Sequence, residues 1–443
     1  MIPRTAKAAV GRRILDAFVA AGAVEVAPDV LLPSATLLDL YGEDIRARAY
    51  LTTDPVRGEV VLRPDFTVPV VQMHMAGGAD PARYCYLGEV FRKQDHGDTR
   101  PAHPRDNEYL QAGFELFSRD PDADAELFAL FHGILAPLNL DATMGDMDLL
   151  LDAVAGLPLS DARRAALAHH IWRPARFERM LDRFSHPAAP RQFAVNGAPW
   201  TGQRSRDEMH ARIARLQADA HEPVLPTIWR ERLHRLFSIA GPAPGALDEL
   251  RVLAEHMPAI AEAVDRLAAR IAAIAARGID PARVRFDASH GRRTMEYYDG
   301  MTFSFTAPAH PDWPPVASGG RYDALTRQLG GDGHLMAGII TLQTLLSGAT
   351  LVGVLLVDRL KIRGLHPAWR AGGVPDVDHQ HRSPVVRGVE PFALVLAGEQ
   401  VRLVARDDLV DLLRDHRPNV VGAGSKRGPT DERGLVGVVD ATG

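Results

Sequence analysis

The sequence predicts an α+β fold in which an antiparallel sheet is flanked by helices and split in sequence by a helical insert. Short β-type runs between Val24 and Phe117 are joined by turns and not by regular crossover helices. Residues 121–280 are mostly helical in pattern, and strand-like runs resume at Val284-Arg285-Phe286 and at Met301-Thr302-Phe303-Ser304-Phe305. At 443 residues the chain has room for roughly two or three domains, and 46% hydrophobic with 24% charged residues is a globular composition that leaves no place for global disorder or a fibrous fold.

Taken in order, a first helix is expected at roughly 5–21, with Ala9, Ile14, Leu15, Phe18 and Val19 among its apolar positions and Gly22 near its end. Asp16 and Glu25 interrupt the apolar stretch, so this reads as an amphipathic helix and not as a signal peptide. The runs Val60-Val61-Leu62 and Tyr84-Cys85-Tyr86-Leu87 then read as strands, with Asp54 to Gly58 as a turn. Within the helical stretch Leu253, Met257, Ile260, Val264, Leu267, Ile271 and Ile274 alternate spacings of four and three, an a/d stripe before Gly278. Pro258 and the short span favour a helix packed on its own domain over a coiled coil with a partner.

The net charge of −5 argues against a nucleic-acid partner, although a local basic patch is compatible with that total. The one cysteine, Cys85, cannot form an internal disulfide; it sits in a β-like run and reads as a core thiol in a reducing, cytoplasmic compartment. Only Lys7, Lys93, Lys361 and Lys426 are lysines among 51 Lys plus Arg, a skew that points to GC-rich coding DNA and not to binding. No Cys/His cluster has zinc-ligand spacing, and no phosphate loop, nucleophile elbow or His-Glu-x-x-His helix is present.

Four segments carry the candidate chemistry. Leu62-Arg63-Pro64-Asp65-Phe66-Thr67 places Asp65 and Thr67 on one face if it is extended, and Gln111-Ala112-Gly113-Phe114-Glu115 does the same for Gln111 and Glu115. Two carboxylates and an amide brought together would receive an ammonium and an imidazole N–H; taken singly each is equally at home on a surface or beside an arginine. Arg92 to Asn107 forms a hairpin loop of roughly 15 residues against the usual two to five. Its arginines near both ends, Arg92 and Arg105, could clamp an anion, or the loop is simply solvated. Arg293-Thr294-Met295-Glu296-Tyr297-Tyr298 and Gly319-Gly320-Arg321-Tyr322-Asp323 add arginines and tyrosines that could wall an aromatic ligand or sit in a core, with paired glycines that allow close backbone approach.

Together these segments resemble a histidyl-tRNA synthetase core, a class II aminoacyl-tRNA synthetase-like antiparallel sheet, and more closely its paralogue, the regulatory subunit of ATP phosphoribosyltransferase, over about residues 5–333. In the synthetase, motif 2 opens Phe-Arg-x-Glu and closes Gln-x-Gly-x-Glu; Phe91, Arg92, Gln111, Gly113 and Glu115 match while Gln94 replaces the glutamate. Leu62 to Thr67 is similar to Leu-Arg-Pro-Glu-x-Thr with Asp65 for glutamate, and Arg293 to Tyr298 is similar to Arg-Gly-Leu-Asp-Tyr-Tyr without its glycine. The Gly-Gly-Arg-Tyr-Asp element is complete. The resemblance implies a histidine-binding pocket from Asp65, Thr67, Gln111, Glu115, Arg293, Tyr297, Tyr298 and Tyr322, with Arg92 and Arg105 as the remnant of a phosphate site.

Motif 3 of the synthetase ends in an arginine on the ATP γ-phosphate, yet Ala337 to Leu346 has no arginine and none occurs between Arg327 and Arg359. Losing one such clamp typically costs about 3 kcal/mol of transition-state stabilisation. The resemblance therefore implies a non-catalytic regulatory subunit, with no catalytic residues, metal or cofactor. It would pair with a short-form catalytic ATP phosphoribosyltransferase subunit in the first step of L-histidine biosynthesis and mediate feedback inhibition by histidine, as a homodimer within a hetero-oligomer, in the cytoplasm, without tRNA or membrane. The alternative is a histidyl-tRNA synthetase or a degenerate form of it, an ATP-dependent ligase.

The expected division is a core at 1–333, with its helical insert at about 121–280, and an atypical tail at 334–443. Leu335 to Val357 is uncharged, and Trp369 and Phe392 are the only aromatics after residue 343. Residues 362–389 show no sustained period, whereas Phe392 to Leu396, Arg402 to Val404 and Leu409 to Leu413 suit a small α/β piece. The tail thus reads either as a poorly ordered, out-of-frame translation or as a divergent small domain.

Overall fold

A computed structural model describes residues 4–34, 47–93, 107–187, 203, 205–292, 298–331, 335–347, 392–397 and 400–405. Its strands are β1 (Val24–Glu25), β2 (Leu31–Pro33), β3 (Tyr50–Asp54), β4 (Gly58–Leu62), β5 (Ala82–Phe91), β6 (Glu108–Phe117), β7 (Asp141–Asp146), β8 (Ala240–Pro242), β9 (Val284–Asp287), β10 (Met301–Thr306), β11 (Ala317–Arg321), β12 (Leu335–Thr341), β13 (Phe392–Ala397) and β14 (Gln400–Ala405). The helices are α1 (Arg4–Ala20), α2 (Thr67–Met75), α3 (Ala123–Leu135), α4 (Met147–Ala155), α5 (Asp161–His169), α6 (Pro174–Phe184), α7 (Arg206–His221), α8 (Thr227–Ser238), α9 (Ala243–Ala254), α10 (Ala261–Ala276), α11 (Asp323–Gln328) and α12 (Leu342–Ser347). The main sheet runs β1-β5-β6-β12-β11-β10-β7-β9-β8 and a smaller one runs β2-β4-β3, flanked by helices, so the fold is α+β as expected. Pairing is antiparallel except at β1–β5 and β7–β9.

The long strands β5 and β6 form a hairpin, Ala82 opposite Phe117 through to Phe91 opposite Glu108, and β12 lies against β6 from Leu335 opposite Phe117 to Thr341 opposite Gln111. Alternation along these strands divides the sheet into two unlike faces. On one, Phe114 meets Phe18 of α1 at 5.5 Å, and Phe303 of β10 meets Phe128 and Phe131 of α3 at 5.7 Å, which is the aromatic centre of the core. On the other, Gln111, Gly113 and Glu115 stand beside Gly88, Tyr86 and Tyr84 of β5; Ala337 carries the same face across to Gly320 and Thr302.

Three expectations change. Residues 121–280 are not one helical insert, because β7 pairs with β10 and β9 inside the main sheet; its sequence, Asp-Ala-Thr-Met-Gly-Asp, is too short and polar to stand out between two helices. The a/d stripe is buried along its whole length within this chain, but on two helices, since α9 ends at Ala254 and a single 3₁₀ turn at Pro258–Ile260 precedes α10. The core also passes position 333, because β12 is a central strand; its apolar run Leu-Met-Ala-Gly-Ile-Ile is buried on both faces of the sheet except at the half-buried Ile339. In the tail β13 and β14 pair antiparallel, as the strand-like runs there suggest, while Leu409 to Leu413 falls outside the described residues. Among the described residues no helix is long and apolar enough to cross a membrane.

Candidate functional site

Glu115 is the hub of the polar face. It is wholly buried, and its Oε1 accepts from Thr67 Oγ1 at 2.9 Å and from the Tyr86 hydroxyl at 3.0 Å, while Oε2 accepts from the Tyr322 hydroxyl at 2.7 Å. The Tyr322 hydroxyl also lies 3.2 Å from Thr67 Oγ1, which closes the ring. Gly113 is what admits this arrangement: a Cβ there would come within 2.1 Å of the Tyr86 ring, so any side chain would evict it. Tyr86 is in turn held by Phe66, stacked at 4.1 Å and 11°.

The segment ahead of α2 is pinned to the hairpin by Arg63. Its backbone N–H donates to Val30, its carbonyl accepts from Phe91, its Nε donates to the Glu89 carbonyl at 2.8 Å, and its guanidinium covers the Phe66 ring at 4.0 Å. That clamp carries Asp65 and Thr67 into the site. They do not share a strand face: Thr67 opens α2, and Asp65 precedes it in a turn where its Oδ1 faces the Val68 N–H at 3.4 Å. The proline in Arg63-Pro64-Asp65 favours extended geometry only up to the turn, which a β-type run in the sequence does not reveal. Arg92 Nε donates to the Pro64 carbonyl at 2.7 Å, and its terminal nitrogen stands 4.0 Å from Asp65 Oδ2. The Arg92 guanidinium is therefore turned toward the Asp65 carboxylate.

Tyr298 and Tyr322 supply the far wall, with ring centroids 5.8 Å apart. Gly320 makes room for Tyr298, whose ring would lie 2.5 Å from a Cβ at that position. Gln111 is fully buried, and neither atom of its carboxamide has a hydrogen-bond partner among the described residues. A buried amide in that condition is costly unless a further group pairs with it. Thus Asp65, Thr67, Glu115, Tyr298, Tyr322 and Arg92 come together with Gln111 farther along the same face, whereas Arg105, Arg293 and Tyr297, with Gln94, lie outside the described residues. Sequence reasoning missed Tyr86; the signal was Gly113, a glycine in mid-strand whose cross-strand partner is Tyr86.

Burial pushes the Glu115 carboxyl up to about 8, against the pull of the three donating hydroxyls, and Asp65 adds to the rise. Burial, with Glu115 next, also holds the Tyr86 and Tyr298 phenols far above their ordinary range. Carboxyl groups so placed can accept from a cation or from N–H donors. Other reactive groups are quiet. Burial, then Glu25, pushes the Cys85 thiol up to about 12 on the helix-covered face. His290, held between the hydroxyls of Thr302 and Ser304 at 2.7 and 2.9 Å, is pushed by burial down to about 4 and stays neutral. Among the described residues no cluster of His, Cys, Asp or Glu is placed to hold a metal ion.

Residues 2–339 match the family described as Histidyl-tRNA synthetase. A curated relative from Mesorhizobium japonicum, named ATP phosphoribosyltransferase regulatory subunit, is 32% identical over 343 residues, covering 70% of this chain and 87% of the relative. One of the same name from Allorhizobium ampelinum is 29% identical over 349 residues, covering 72% and 91%. Among solved structures, one described as an ATP phosphoribosyltransferase regulatory subunit/histidyl-tRNA synthetase from Bacillus halodurans superposes with a TM-score of 0.58 over 78% of this chain and 80% of that chain. At 18% identity that likeness speaks for the fold.

Proposed function

We propose a role that starts from family membership: the chain belongs to the family of ATP phosphoribosyltransferase regulatory subunits, built on the class II synthetase fold of histidyl-tRNA synthetase. In this reading the protein carries out no chemistry of its own. It binds L-histidine, pairs with a short catalytic phosphoribosyltransferase chain in the cytoplasm as a homodimer within a hetero-oligomer, and passes histidine occupancy to that partner as feedback inhibition.

One observation carries the reading: a fully buried carboxylate, Glu115, ringed by Thr67, Tyr86 and Tyr322, on the sheet face where Gln111 keeps a buried amide without a described partner. Histidine offers an ammonium and a ring N–H to such acceptors. Arg92, the one matched motif 2 arginine that is described, is bonded to the Pro64 carbonyl beside Asp65. The strand–helix pair β12–α12, where a γ-phosphate arginine would stand, contains none. Both features favour sensing over adenylate formation.

Because burial keeps Glu115 protonated into the neutral range, seating a cation against it releases a proton. Calorimetric titration of L-histidine, repeated in buffers of different ionisation heat, should show binding with proton release in the wild type and at least about tenfold weaker binding in Glu115→Ala. Unchanged binding in that variant removes the pocket. Added protein should raise the activity of a short catalytic subunit in a histidine-sensitive manner, whereas robust histidine-dependent pyrophosphate–ATP exchange would establish the ligase reading instead.

A further inference from the structure

Arg321, in the middle of the Gly-Gly-Arg-Tyr-Asp element, donates nothing to the pocket in the described contacts. Its Nε and a terminal nitrogen bond Asp124 Oδ1 at 2.9 and 2.6 Å, and its other terminal nitrogen reaches Asp323 at 3.2 Å. Asp124, in the first turn of α3, accepts on its second oxygen from Arg270 of α10 at 2.8 Å, and Arg270 also donates to Asp146 at the end of β7 at 2.6 Å. Asp146 also caps α4 by accepting from the Asp148 N–H. The result is one line of alternating charges, Asp146, Arg270, Asp124, Arg321 and Asp323, drawn from five elements in three separate stretches of the sequence.

The line is buried. Asp146, Asp124 and Arg270 are 0, 2 and 8% exposed, so each charge depends on its neighbours and not on water. Burial alone would favour the neutral forms, but Arg270 and Arg321 hold Asp124 below its usual range, and Asp124 with Asp146 holds Arg270 above its own. Tyr322 stands between the last two members. Alternation at the end of β11 sends Arg321 toward the helix-covered face and Tyr322 to the pocket, where its hydroxyl meets Glu115 and Thr67. Its backbone is fixed on both sides: Asp299 accepts from the Asp323 and Ala324 N–H groups at 2.8 and 2.7 Å, the Asp299 N–H donates to the Arg321 carbonyl, and Asp323 accepts from the Leu335 N–H.

We propose that Arg321 and Arg270 are positioning residues for the pocket: the buried line Asp146–Arg270–Asp124–Arg321–Asp323 aims Tyr322 at Glu115 and ties that aim to the seating of α10. In its ligand arm this rests on the histidine reading given above; in its structural arm it does not. Occupancy of the pocket and the position of α10 are then reciprocal, which gives the helices a direct stake in ligand binding.

The test uses the full chain with 3-fluorotyrosine incorporated, the Tyr322 fluorine resonance assigned through Tyr322→Phe. Arg270→Met and, as a second variant, Asp124→Asn are compared with Leu267→Ala, which opens a cavity in the same helix at a fully buried apolar side chain without touching the line. The expected result is a displaced or broadened Tyr322 resonance and an L-histidine Kd raised about tenfold or more in either line variant, partial recovery in Arg270→Lys, and neither effect in Leu267→Ala despite its lower Tm. A Tyr322 resonance unmoved in both line variants, or moved as much by Leu267→Ala, overturns the proposal. If the wild type binds no histidine, the histidine reading fails while the resonance comparison still decides the line.

Discussion

The two faces of the central sheet share strands, register and backbone, yet they are built by opposite rules. The face toward α1 and α3 is filled by Phe114, Phe303 and Phe305 against Phe18, Phe128 and Phe131, a continuous run of edge, tilted and stacked ring contacts. On the other face Gly88, Gly113 and Gly320 make room for Arg63, Tyr86 and Tyr298, which a side chain at those positions would strike. Hydroxyls meet its Glu115 carboxyl, while its Gln111 amide has no hydrogen-bond partner among the described residues. The difference teaches that apolar filling and the placing of polar groups have been separated across a layer one strand thick: the first face gains by filling volume, the second by pairing a few placed groups.

Substitutions on opposite sides of β6 should break that division most clearly. Phe114→Ala removes a fully packed ring and should cost about 3–5 kcal/mol in denaturant unfolding, while the folded fraction binds L-histidine with unchanged affinity. A large affinity loss there would show that the faces are not separable. Its neighbour Gly113→Ala adds a single methyl but has nowhere to put it, since Tyr86 is stacked on Phe66 and cannot retreat. It should cost less stability, about 1–3 kcal/mol, and abolish measurable histidine binding in the same calorimetric experiment.

The smallest effect separates the faces by their response to pH. The Glu115 carboxyl titrates near 8 in the fold against an ordinary 4.5, so the folded state retains a proton that the unfolded chain gives up. Its contribution is complete below pH 4.5 and fades as the pH rises through 8. Relative to Glu115→Gln, the wild type should therefore lose stability over that window, by up to a few kcal/mol, as read from unfolding curves at successive pH values. Parallel pH profiles for the two proteins would show that Glu115 is not held by burial in the way its surroundings indicate.

Much of this was legible in the residues themselves. The 2-period of β6 placed Gln111 and Glu115 on one face, the glycines of Gly319-Gly320 announced close approach, and the apolar stripe from Leu253 to Ile274 announced a buried helical face. The errors fall where a local pattern is too short or too polar to outweigh its setting. β7 passed for part of a helical region, Asp65 and Thr67 were placed on a strand that is a turn and a helix start, and β12 was assigned to the tail because its uncharged run continues past the sheet.

The sequence by itself determined the sheet's alternation, the identity of the acceptors and the missing arginine after Arg327, because each is written in neighbours a few residues apart. Only the tertiary structure decided that the Tyr86 hydroxyl reaches Glu115, and that Arg321 turns away from Glu115 to meet Asp124 across 197 residues of chain. Contacts of that kind depend on which faces the folded sheet brings together, and no local period records them.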